Sequence, residues 1–147
     1  MIYRSCPAWN GLERCGIYST QIATGSAGQP SFPTLLTYQP WAFPNDTKDG
    51  YLALTGRQGE DWEVYALSLD GSWMVNVSRN ASAQDGLAAI SPDAHWIAFV
   101  SNRGGKWAVW AASLPGGSAQ KLFDLPSSGA WATDEQEWVR QRIAWGQ

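Results

Sequence analysis

Few residues in this chain could carry chemistry, and their types decide which kinds. Among 147 residues there is one histidine, His95, and there are two cysteines, Cys6 and Cys15. A Ser-His-Asp triad would have to use His95, yet no Gly-x-Ser-x-Gly elbow accompanies it, and it sits in the turn after Ser-Pro-Asp, a solvent-facing place. Zinc asks for a fuller ligand set than two cysteines and one distant histidine. The carboxylates are scattered, with Glu60 and Asp61 in a loop, Asp85 just before an apolar run, and Asp134, Glu135 and Glu137 near the end. Asp85 is the best placed of these for glycosidase chemistry, which needs a second acid facing it, and no acid occupies a matching position elsewhere. The sequence therefore assigns no catalytic residue, no metal ligand and no cofactor.

Cys6 and Cys15 flank PAWNGLER, the loop of a short hairpin. A disulfide there would staple the hairpin and imply an oxidising compartment, periplasmic or extracellular; two free thiols are the alternative. The ten tryptophans would suit a face that binds peptide or sugar. Trp62 and Trp107, however, share one repeat position, and Tyr65 and Trp110 share another, which assigns them to packing. The non-repeating Trp9, Trp41, Trp131 and Trp138, together with Asp85, are the candidates for a surface contact. Three Asn-x-Ser/Thr sequons stand at Asn45, Asn76 and Asn80.

The elements that would position these residues follow from composition and period. A length of 147 residues allows one domain with a real core. The formal net charge of −3 and the lack of any basic run argue against nucleic acid. No apolar stretch reaches the ~18 to 20 residues needed to span a bilayer, and the N-terminus lacks the pattern of an export signal, so no membrane insertion is expected. Fifteen glycines and eight prolines interrupt any helical pattern, while the apolar positions recur at period two and are rich in aromatics, which favours strands.

The chain also repeats itself. YLALTGRQGEDWEVYALSLDG aligns without a gap to WIAFVSNRGGKWAVWAASLPG at a shift of 45 residues. Leu52 then matches Ile97, Ala53 matches Ala98, Gly59 matches Gly104, Val64 matches Val109 and Leu69 matches Leu114. Each period reads as four short strands joined by Pro-Asp and glycine turns, the pattern of a β-propeller blade. RIAWGQ near the C-terminus reads as one further second strand.

ISPDAHWIAFVSNRGGKWAVWAASLPGGSAQKLF resembles the repeat of TolB-type (WD40-like) β-propellers: a Ser-Pro-Asp turn, an Ile-Ala-Phe strand, a Ser-Asn-Arg-Gly loop, an aromatic strand and a glycine turn. Residues 84–123 match it closely and residues 40–79 moderately, with departures at Ala94, His95 and Phe123. The resemblance implies an all-β partial propeller of about three four-stranded antiparallel blades, half of a six-bladed ring, with a protein or peptide partner. Residues 1–38 would form an incomplete first blade, 39–82 the second, 83–126 the third, and 127–147 strands that complete a neighbouring or partner blade. The expected function is a non-enzymatic interaction scaffold, its ring closed by homodimerisation. The alternative is a fragment or subunit of a larger propeller enzyme acting on glycans or peptides.

Overall fold

The computed structural model describes residues 1–6, 15–21, 33–39, 41–126, 138–139 and 141–146. Among them, strands form three antiparallel sheets. The first sheet holds β1 (Ile2–Ser5), β2 (Gly16–Ser19) and β3 (Thr34–Thr37), in that order. The second runs β4 (Ala42–Lys48), β5 (Tyr51–Gln58), β6 (Asp61–Ser68) and β7 (Met74–Asn76). The third runs β8 (Asp85–Ile90), β9 (Trp96–Ser101), β10 (Ala108–Ser113) and β11 (Gln120–Asp124). Every sheet is a meander of sequence neighbours, so each is one blade.

Turn chemistry sets where the chain reverses. Asp49 and Gly50 take φ values of 45° and 86° between paired Lys48 and Tyr51, the two-residue geometry whose twist matches flanking strands. Gly104 and Gly105, at φ 79° and 83°, do the same work in the β9–β10 loop. The sequence repeat is also a repeat of register. Leu52 pairs with Leu67 across β5 and β6, and 45 residues later Ile97 pairs with Ala112 across β9 and β10.

Alternation then sends each position to a fixed side of its blade. Leu52, Leu54, Tyr65 and Leu67 pack on Ile17 and Leu36 of the first blade. Their repeat equivalents Ile97, Phe99 and Ala112 pack on Ala53, Val64 and Ala66 of the second. These blade-to-blade seams are the core. With full burial of a Leu or Phe side chain contributing roughly 1.5–3 kcal/mol, hydrophobic contact between blades outweighs any single polar link.

The C-terminal stretch departs from the sequence expectation. Residues 141–146 form no strand. No first strand of a further blade is present among the described residues to pair with, so the stretch makes side-chain contacts instead of a ladder. Ile143 joins the apolar cluster on the outer side of the third blade, and Trp145 Nε1 donates to the Ala89 carbonyl at 2.9 Å.

Candidate functional site

Polar residues converge where the second blade meets the third. Glu63, on an inward position of β6, is 3% exposed and accepts hydrogen bonds from the Ser78 hydroxyl and, at 3.4 Å, the Asn80 N–H. Arg103, from the β9–β10 loop, reaches back across the seam. Its Nη2 donates to the Ser78 carbonyl at 3.0 Å and to Asp85 Oδ1 at 3.2 Å, and its Nε donates to Ser101 Oγ at 2.9 Å. The guanidinium also lies 4.8 Å from the Trp110 ring centroid and 5.3 Å from that of Phe99. Three fixed acceptors and two aromatic faces hold this side chain in one orientation.

Asp85 was expected at a surface contact, and the structure corrects this: its side chain is fully buried and ion-paired to Arg103. Burial pushes its carboxyl above the ordinary value, while the Ser101 hydroxyl and the Arg103 guanidinium pull part of the way back. Oδ2 has no hydrogen-bond partner among the described residues. A carboxylate so enclosed braces the blade and is not presented to a substrate.

Trp138 is likewise buried, 3% exposed, with its ring 5.3 Å from that of Trp107. It needs the bare backbone of Gly86, where an added Cβ would lie 2.8 Å from the indole. The expected surface role therefore gives way to packing on the third blade. Trp41 stands in the turn before β4 and is 37% exposed, its carbonyl accepting the Arg57 N–H at 3.1 Å. Trp9 and Trp131 lie outside the described residues. Cys6 and Cys15 are joined by a disulfide. His95 is exposed in its turn and pairs with Asp93, Nδ1 to Oδ2, at 3.1 Å.

The outer side of the third blade is the second notable surface. Ala89, Ala98, Val109, Leu122, Phe123 and Leu125 border a cavity of about 450 Å³ that residues 143–146 close in part. Leu122 and Phe123 remain 51% and 57% exposed. In the second blade the corresponding side is sealed by the third, so here an apolar blade face stands only partly covered. Sequence reasoning singled out neither Glu63 nor Arg103. A carboxylate on an inward position of an otherwise apolar strand was the available signal for the first, and the Ser-Asn-Arg-Gly loop for the second.

Consecutive four-stranded meanders that pack face to face, with the register repeated from one to the next, define a partial β-propeller. Two solved structures share this fold. One is a TolB-type protein from Agrobacterium tumefaciens, superposing with a TM-score of 0.65 at 19% identity over 84% of this chain and 43% of that one. The other is TolB from Acinetobacter baumannii, with a TM-score of 0.58 at 18% identity over 82% of this chain and 28% of that one. An uncharacterised protein of Agrobacterium fabrum is 26% identical over 76 residues, 52% of this chain and 25% of that protein. No protein-family model matches. The chain thus spans less than half the length of each of these relatives.

Proposed function

We propose that this chain is a non-enzymatic β-propeller scaffold for protein or peptide partners, its three blades closed into a six-bladed ring by a second copy. The observation that carries the reading is the outer face of the third blade, where Leu122 and Phe123 stay half exposed around an apolar cavity. Monomers seldom leave such a face uncovered, and a propeller covers it with the next blade. The first blade, with three strands among the described residues, offers β1 as an edge for a closing strand. The Cys6–Cys15 disulfide favours an oxidising compartment.

A second reading has its own support: the solved TolB structures are more than twice as long as the matched region, so further blades of a longer chain would close the ring. Both readings cover the same face. Phe123→Glu tests them, because the exposed ring contributes little to the blade's own core. Association of the 147-residue chain is expected to be abolished with the strand content unchanged. Undiminished association would show that the face is not used.

A further inference from the structure

We propose that the cavity beside Arg103 binds a carboxylate carried on an acidic peptide. It measures about 240 Å³ and is lined by Arg103, Gly104, Lys106, Trp110, Lys121 and Asp124. Three cations and one carboxylate line it; with Arg103 paired to Asp85 and Lys121 to Asp124, Lys106 leaves the cluster net positive on a chain whose formal net charge is −3.

The site is organised before a ligand arrives. Ser101, Ser78 and Asp85 fix Arg103, whose Nη1 keeps no hydrogen-bond partner among the described residues. Trp110 forms one wall beneath the guanidinium, and its buried Nε1–H has no acceptor among the described residues. Lys121 Nζ donates to Asp124 Oδ1 at 2.9 Å, whereas Lys106 is in no ion pair among the described residues. Both ammonium groups stand at the exposed rim, where they would draw in an acidic chain.

Lys106 and Lys121 are not part of the blade repeat. Trp110 pairs with Lys121 where, 45 residues earlier, Tyr65 pairs with Asn76. Gln58 and Asp61 hold the positions of Arg103 and Lys106. Residues that serve packing recur, as Leu52 and Ile97 do, and Arg103 also braces Asp85, so it is the exposed Lys106 and Lys121, confined to one blade, that packing does not explain. The two N–H groups of Nη1 are the ones left for a ligand oxygen, and the cavity admits one such side chain rather than a folded surface.

This deepens the scaffold reading by naming its ligand, and every lining residue lies in the third blade, so it stands apart from how the ring closes. The test titrates the 147-residue chain with an end-blocked triglutamate peptide, its glutamine counterpart and inorganic phosphate, following the Trp110 indole N–H resonance. The glutamate peptide is expected to saturate and shift that resonance, and the glutamine peptide to do neither. Lys106→Gln with Lys121→Gln, at exposed positions that spare the fold, is expected to weaken the glutamate peptide roughly tenfold. Equal binding by the glutamine peptide, an unchanged affinity in the double variant, a silent Trp110 resonance, or saturation by phosphate in place of the peptide would each overturn the proposal. A chain that binds the peptide yet never associates would keep the site and lose ring closure, and the opposite result would do the reverse.

Discussion

Thr55 of the second blade holds Leu87 of the third: the threonine Oγ1 accepts the Leu87 backbone N–H at 3.1 Å while its own proton goes to Asn45 Oδ1 at 2.7 Å. Leu87 lies in a bulge between Gly86 and Ala89 and takes φ 58°, so its N–H leaves the β8–β9 ladder and would otherwise be buried without an acceptor. A second link runs parallel, from the Ile90 N–H to Asp46 Oδ2 at 2.9 Å. The bulge therefore turns a lost ladder bond into a joint between blades.

Thr55→Val keeps the side-chain volume and removes the acceptor. It strands the Leu87 donor and one Asn45 acceptor, and is expected to cost about 1–3 kcal/mol in denaturant unfolding. Thr55→Ser should recover most of that. A neutral Thr55→Val would show that water reaches the bulge.

Arg103→Met leaves Asp85 buried with no cation beside it, and breaking such a pair costs roughly 3–5 kcal/mol near neutral pH. The cost should shrink as pH falls. A carboxyl whose folded value is raised favours the fold while protonated and loses that stability as pH rises through the folded value; without Arg103 this penalty grows. Paired urea titrations of wild type and variant across acid pH check it, and a pH-independent difference would contradict the assignment.

Two turn carboxylates act in the opposite sense. Asp93 is held down to about 2 by the Ser91 hydroxyl, the His95 N–H and the His95 imidazole, and Asp70 is held down to about 2 by the Ser68 hydroxyl and the Ser72 N–H and hydroxyl. Stability from a depressed carboxyl is present above its unfolded value, ordinarily 3.8, and is lost as pH falls toward about 2. Asp93→Asn should therefore lower the melting temperature near neutral pH, with the gap to wild type closing at the acid end of that window.

Ala94 occupies the left-handed region at φ 55° in the same turn. A residue with a Cβ pays roughly 1–2 kcal/mol there, while glycine costs about 0.4–1 kcal/mol through the unfolded chain. Ala94→Gly is expected to raise stability by up to about 1 kcal/mol, seen as a later urea midpoint at unchanged slope.

How much of this was legible follows from what repeats. Leu52 and Ile97, or Tyr65 and Trp110, share a position because each faces the preceding blade, so a sequence shift alone revealed the blades and their packing. Asp85 misled because burial of a carboxylate depends on Arg103 folding back from a loop 18 residues away. Such a contact leaves no periodic trace. Trp138 misled because its pocket exists only where Gly86 lacks a Cβ. The stretch at Ile143 read as a strand because alternation describes a side chain's neighbours without supplying the ladder partner that a strand requires.

The claim that this arc of blades is completed by a second copy rests on mass. Sedimentation of the 147-residue chain over a range of concentrations is expected to show a folded species of about twice 16.1 kDa that dissociates on dilution. A cooperatively folded particle that stays at 16.1 kDa up to the highest concentration would contradict the account.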